Sequence, residues 1–182
     1  MSRLEAGLAV FNAKDRSELG RELRACLRAQ EWVMQLLALR PYPDVASLLT
    51  TAQEAAQRLG DEDVDSALSA HPRIGERPDG GGAQAEASRR EQAGVDGEDP
   101  EVGRRLRAGN AAYEERFGHV FLIRAAGRSG PQVLAALEQR LGNDVATERG
   151  IVREQLAQIA ELRLERMLAA WSDSPAGPAA SS

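Results

Sequence analysis

The chain has 182 residues, the usual length of one domain, and its 42% of apolar and 28% of charged residues are typical of a globular protein. The net charge of −5 argues against non-specific nucleic-acid binding, and no apolar run approaches the ~20 residues of a membrane-spanning helix. A single cysteine excludes an internal disulfide and a zinc site built from cysteines.

Four short helices are predicted in the first part of the chain, from apolar residues at helical spacing and from capping residues such as Asp15 and Asp44. They span residues 15–27, 32–39, 44–59 and 63–70. A short lead precedes them, and the last of them ends directly before His71 and Pro72.

The second part of the chain combines loops with longer helices. Glycine-rich or polar loops are predicted at 76–83 and 94–99, on either side of a polar helix at 86–93. Further helices are predicted at 100–117, 129–141 and 144–171. The apolar run at 119–125 is either one buried extended segment or the start of a buried helix, because periodicity does not distinguish them.

These elements predict an all-α fold: a single-domain helical bundle of about seven to eight helices, without a sheet. We expect the domain to span residues 1–171. Residues 172–182 are mostly Ser, Pro, Gly and Ala, a composition that predicts a disordered tail.

His71 is the first candidate for chemistry, and its position allows two interpretations. A histidine directly after a helix and before Pro72 is often only a C-terminal cap. Alternatively, the proline fixes the backbone so that the imidazole points into a pocket beside the glycine-rich loop. Histidine is the side chain best suited to proton transfer near neutral pH.

The polar helix at 86–93 presents a second candidate. Ser88, Glu91 and Gln92 share one helix face, which would offer a hydroxyl, a carboxylate and an amide to a small polar ligand. The commoner interpretation of such a face is that it is charged and solvated.

Arg163 lies on the apolar stripe of the last predicted helix, between Ile159 and Met167. Such an arginine either reaches water along its stem, forms an internal ion pair, or binds a substrate carboxylate in bidentate fashion. For His119 and Cys26, packing or capping is favoured over a catalytic role.

Cofactor and metal chemistry is not expected. The sequence has no HExxH or CxxC motif, no P-loop and no dinucleotide-binding glycine motif, and its one lysine, Lys14, lies near the N-terminus. We therefore predict neither a metal site nor a cofactor. Without a signal-peptide pattern or a peroxisomal C-terminus, we expect a cytoplasmic protein that binds neither membranes nor nucleic acids.

Several motifs resemble one family. The segment 70–75, AHPRIG, resembles the HPxxG motif of OHCU decarboxylases, and 88–92, SRREQ, resembles their SxxEQ motif. Further matches, in the family's order, are FNA at 11–13, Trp32, NAAY at 110–113, RFGHVF at 116–121 and IAELRL at 159–164. The resemblance covers roughly residues 8–170.

The resemblance implies a cofactor-free decarboxylase that converts 2-oxo-4-hydroxy-4-carboxy-5-ureidoimidazoline (OHCU) to (S)-allantoin in purine breakdown. It implies that His71 is the proton donor and that Glu91 orients the imidazole or binds ureido N–H groups. Arg163 would pair with a substrate carboxylate or ring carbonyl. The other implied substrate-binding residues are Pro72, Ser88, Gln92, Phe121, Leu122, Ile123, Arg124 and Ala125.

The implied partners are a small ureidoimidazoline substrate and a second copy of the chain, because members of this family are commonly homodimers. The alternative function is a non-catalytic binding module of the same fold. A broken motif would indicate that alternative, whereas His71, Glu91, Gln92 and Arg163 are all present. A scaffold role, in complex with the preceding hydrolase of the pathway, is a second alternative.

Overall fold

A computed structural model describes residues 2–75, 83–93 and 99–172, and within these ranges the chain forms nine α-helices and no strand. The prediction of an all-α fold is therefore confirmed. The helices are α1 (Arg3–Ala13), α2 (Arg16–Cys26), α3 (Gln30–Ala38), α4 (Val45–Gln57), α5 (Asp61–Ser69), α6 (Ala83–Gln92), α7 (Pro100–Phe117), α8 (Gly130–Arg140) and α9 (Val145–Ser172).

The first helix is absent from the sequence prediction, which placed only a short lead before Asp15. A capping box begins this helix: the Ser2 hydroxyl accepts a hydrogen bond from the Glu5 N–H at 3.3 Å, and the Glu5 carboxylate accepts one from the Ser2 N–H at 2.7 Å. Leu8 and Phe11, on the apolar side of this helix, are buried. The sequence prediction therefore contains one helix too few, since it omits α1 and its capping box.

Parts of the predicted loops, 76–82 and 94–98, and all but the first residue of the predicted tail, 173–182, lie outside the described residues. Ser172 itself is the last residue of α9. Across the described ranges, no helix combines the length and the apolar character needed to cross a lipid bilayer.

Two hydrophobic clusters form the interior. The larger one is built from α1 to α5 and α9, and Trp32 lies fully buried in it, with its indole N–H donating to the Ala52 carbonyl at 2.9 Å. The smaller one joins α7 and α8 through residues such as Leu106, Val133 and Leu137. Long helix α9 packs along α1 and α4 and carries one side of the larger cluster.

The apolar run 120–125 connects the two clusters. It forms neither a helix nor a strand, so of the two alternatives the start of a buried helix is excluded, and the run is a mostly buried, non-helical segment. Leu122 packs into the larger cluster, whereas Phe121 and Ile123 pack into the smaller one. The run begins after Gly118, which ends α7 with a φ of +75°, a conformation that glycine adopts without strain.

The packing of α1 against α9 depends on Gly7, because a side chain there would overlap the backbone carbonyl group of Leu168. We expect Gly7→Ala to lower the free energy of unfolding by about 1–3 kcal/mol, as overpacking does elsewhere. Urea denaturation followed by circular dichroism measures this change. The matched control is Gly150→Ala, in the interior of α9 with open space around it, which should stabilise the protein by about 0.5–1 kcal/mol. Equal effects of the two substitutions would contradict the close approach.

Candidate active site

His71 follows the end of α5 and is held by that helix. Its backbone N–H donates to the Leu68 carbonyl at 3.0 Å, and its ring Nδ1 lies 2.7 Å from the Ala67 carbonyl oxygen. A carbonyl can only accept, so Nδ1 carries the hydrogen and Nε2 keeps its lone pair. Nε2 is buried and has no hydrogen-bond partner among the described residues. The helix end thus fixes both the tautomer and the orientation of the ring.

The charge state of His71 follows from its surroundings. Burial, and then the positive charge of Arg163, lower the pKa of His71 to about 4, while Glu91 and the hydrogen bond to Ala67 act in the opposite direction. The imidazole is therefore neutral near pH 7. A neutral ring with the hydrogen on Nδ1 presents a proton acceptor at Nε2.

The turn after His71 is tied to two other helices. The Gln92 side-chain oxygen, on α6, accepts a hydrogen bond from the Gly75 N–H at 3.1 Å. The Asn110 amide, on α7, donates to the Ile74 carbonyl at 2.9 Å. Gly75 has a φ of +76°, which a residue with a side chain rarely adopts. These bonds place the histidine turn against the polar helix α6.

Glu91 of α6 and Arg163 of α9 form a buried bidentate ion pair. Arg163 Nε and Nη2 donate to the two Glu91 carboxylate oxygens at 2.8 and 2.9 Å. The same guanidinium donates to the Cys26 carbonyl at 3.2 Å and to the Ser88 hydroxyl at 3.3 Å. Of the interpretations of Arg163, the structure shows the internal ion pair. Two of its donors are engaged by Glu91, and binding of a substrate carboxylate by Arg163 stays a prediction.

A small cavity brings most of the predicted site residues together. Among described residues it is lined by His71, Pro72, Ile74, Ser88, Glu91, Gln92, Phe121, Leu122, Ile123, Ala125 and Ile159. Its volume is about 20 Å³, which is room for about one water molecule. A larger ligand therefore requires the surrounding groups to move apart.

Two predicted site residues do not line this cavity. Arg163 makes its contacts through Glu91 and Ser88 instead. The Arg124 side chain faces two shallow surface hollows, and its backbone N–H is taken by the Gln155 side chain at 2.8 Å. The structure therefore separates Arg124 from its neighbours in the run 120–125.

Two lining residues escaped the sequence analysis. Ile74 lies inside the motif that contains His71, so its place in the motif was a usable signal. Ile159 begins the segment IAELRL at 159–164, which also resembles a family motif, so the same kind of signal was present there.

The remaining candidates have no part in this cavity. Burial raises the pKa of the Cys26 thiol to about 12, so it stays protonated, and its Sγ lies 3.9 Å from the Met167 sulfur. His119 lines a larger surface hollow of about 600 Å³ that also contains Asp61, Val145 and Arg149. None of the predicted site residues lines that hollow.

The comparison with protein families gives a clear result. A model described as OHCU decarboxylase matches residues 12–165, which is most of the chain. The chain belongs to the OHCU decarboxylase family.

Individual relatives agree with this membership of the OHCU decarboxylase family. An OHCU decarboxylase of Amia calva is 32% identical over 131 residues, 71% of this chain and 75% of the relative. One from Haloferax volcanii is 31% identical over 130 residues, 69% of this chain and 73% of the relative. A crystal structure of an OHCU decarboxylase in the presence of (S)-allantoin has a TM-score of 0.68 and 24% identity, covering 81% of this chain and 96% of that one. At that identity it shows a shared fold.

The lowered pKa of His71 makes stability depend on pH in this family member. Between pH 6.5 and 4 the unfolded chain binds a proton at His71 and the folded chain does not, so stability falls as pH falls through this window. We expect the unfolding free energy to drop by about 2 kcal/mol from pH 7 to pH 5 through this residue. Urea titrations at both pH values measure it. His71→Gln should remove that drop, and an undiminished drop in the variant would assign it to other groups.

The ion pair between Arg163 and Glu91 generates a second prediction. Removal of Arg163 leaves the buried Glu91 carboxylate with the half-exposed Arg166, 3.7 Å away, as its remaining counter-charge, so Arg163→Met should cost about 3 kcal/mol of stability. Adding Glu91→Leu should recover most of that loss, because an apolar pair of similar volume carries no such penalty. Urea unfolding of the two single variants and the double variant gives the coupling. Additive losses would show that the two side chains do not depend on each other.

Proposed function

We propose that this protein is a carboxy-lyase of urate degradation that converts OHCU to allantoin without a cofactor, and that it does so in the cavity beside His71. Membership of the OHCU decarboxylase family supports the reaction. The location of the site is supported by Nε2 of His71. This atom is a buried acceptor without a partner in the described part of the chain, and it lies at a cavity that Glu91 also lines.

The reaction needs proton transfers as well as the loss of CO₂. In OHCU one ring carbon bears both the hydroxyl and the carboxylate, and its neighbour bears the ureido group. Loss of CO₂ leaves an enol; its hydroxyl then gives up a proton to become the carbonyl of allantoin, while the ureido-bearing carbon gains one. The ring nitrogen takes a further proton, so one proton is consumed overall. A single acid–base group beside both carbons can serve the first two transfers.

The neutral imidazole of His71 has the properties for this exchange. Nδ1 is committed to the Ala67 carbonyl, so Nε2 is the atom that exchanges protons. It accepts the hydroxyl proton, and the imidazolium so formed returns a proton to the ureido-bearing carbon. The negative charge of Glu91 favours that imidazolium. Because the ring is fixed, the proton arrives from one face, and we propose that the product is (S)-allantoin.

The other polar groups of the cavity have binding roles in this proposal. Ser88 presents a hydroxyl and Gln92 its amide N–H groups, because the oxygen of Gln92 already accepts from Gly75. Both suit the carbonyl and N–H groups of a ureido arm. Arg163 acts through Glu91, whose carboxylate it holds in place, rather than on the substrate. Pro72, residues 121–123 and Ala125 complete the enclosure.

The assembly and location implied by the family resemblance remain predictions. We propose that residues 1–171 fold as one domain and that the chain forms a cytoplasmic homodimer that acts on the free small molecule. Size-exclusion chromatography with light scattering would measure the dimer directly.

Catalysis by His71 is tested with OHCU generated in situ from urate, by urate oxidase and hydroxyisourate hydrolase. We expect the protein to accelerate decay of the ultraviolet and circular-dichroism signals of OHCU, and His71→Ala to lose about 10²–10⁴-fold of that rate. His119→Ala is the control, because the second histidine lies outside the cavity.

Either of two results would contradict the proposal. If His71→Ala stays folded and keeps most of its activity, the residue assignment is wrong. If the wild-type protein does not exceed the spontaneous rate, the non-catalytic binding module becomes the better description.

A further inference from the structure

Two side chains outside the cavity hold the run 120–125 from its far side. Arg140, at the end of α8, donates from Nη1 to the Leu122 carbonyl at 2.8 Å. Gln155, in α9, accepts from the Arg124 N–H at 2.8 Å. Both side chains are less than a tenth exposed, and neither lines the cavity among the described residues.

Arg140 is itself fixed by a buried network. Its Nε and Nη2 donate to one oxygen of the Glu148 carboxylate at 2.8 and 2.5 Å. The other oxygen of Glu148 accepts from the Asn143 amide at 2.8 Å, and the Tyr113 hydroxyl donates to the first. The guanidinium also stacks 4.6 Å from the ring centre of Phe121, which lines the cavity. These contacts leave the Arg140 side chain little freedom to adopt another conformation.

Ile123, which lies between Leu122 and Arg124, lacks such hydrogen-bond partners for its backbone among the described residues. Ile123 is 6% exposed and lines the cavity, yet its backbone N–H and C=O make no hydrogen bond in the described part of the chain. Buried backbone groups without partners are rare, because each costs about 1–3 kcal/mol. A ureido group has both N–H donors and a carbonyl acceptor, so it complements this pair of backbone groups.

We propose that Arg140 and Gln155 are positioning residues of the active site. By binding the Leu122 carbonyl and the Arg124 N–H, they hold the backbone so that the Ile123 peptide groups are left for the ureido group of the substrate. The inference rests on the proposed function for the identity of that substrate. Stability alone is a weak reason for this network, since a buried ion pair can often be replaced by apolar residues without loss.

Gln155→Met gives the sharper test, because it keeps the approximate size of the side chain and removes the amide whose oxygen accepts from the Arg124 N–H. We expect kcat/KM for OHCU to fall about five- to tenfold, the effect of one orienting hydrogen bond, mostly through KM. The control is Gln158→Met, one turn later on α9, whose amide bonds only to Glu154 among described residues. It should leave kcat/KM unchanged. If both variants retain full activity at an unchanged KM, Gln155 has no positioning role.

Arg140→Lys is the second test, because it keeps the charge beside Glu148 while one ammonium group cannot bond both Glu148 and the Leu122 carbonyl as the guanidinium does. A positioning role predicts a raised KM in the folded variant and loss of enantiomeric purity in the allantoin formed. A merely structural role predicts a lower melting temperature with unchanged KM and product. That second result would overturn the proposal for Arg140.

A binding measurement separates this proposal from the proposed function. Hydrogen exchange of the peptide covering 120–126 should slow on addition of allantoin in the wild type and in Gln158→Met, and much less in Gln155→Met. A wild type that shows this protection but no decarboxylation would refute the proposed function and leave the positioning inference standing. Equal protection in all three proteins, or none in the wild type, would refute the positioning inference.

Discussion

The buried ion pair between Arg163 and Glu91 is the constraint on which the cavity depends. Neither charge is tolerable alone in the interior, since an unpaired buried charge costs several kcal/mol, so α6 and α9 have to meet at this point. Ser88 is oriented by the same guanidinium. After burial, the positive charge of Arg163 also lowers the pKa of His71, so the pair positions a wall of the cavity and favours the neutral imidazole.

Helix α9 extends this constraint over the whole site. Glu148, Gln155, Ile159 and Arg163 follow one another at intervals of seven, four and four residues, which places them along one face of the helix. In the same order, these residues bind Arg140, bind the Arg124 N–H, line the cavity and bind Glu91. A straight helix rises about 1.5 Å per residue, so the distances between these groups are set by sequence spacing. Packing of α1 and α4 against α9 then fixes the helix itself.

Helical periodicity predicted the fold class, and the resemblance to a known family implied nine of the residues that line the cavity. The sequence could not decide the role of Arg163, since its partner Glu91 lies 72 residues away and only the folded chain brings them together. Arg140 and Gln155 were missed for the same reason: each acts on a backbone group that no local pattern reveals. By contrast, Ser2 and Glu5 have the spacing of a capping box, which is a local sequence signal for the start of α1.

The lone pair on Nε2 of His71 also bears on ligand discrimination. A buried acceptor that has no partner in the described part of the chain favours binding of a ligand that places a hydroxyl or N–H at that point. A ligand of the same shape that lacks this donor leaves the lone pair unsatisfied and loses about 1–3 kcal/mol, and sites of this kind reject such analogues strongly. An inhibitor for this cavity should therefore keep a donor opposite the imidazole and replace only the carboxylate. In the proposed mechanism, the atom that exchanges the proton would also discriminate between hydroxylated and deoxygenated ureido compounds.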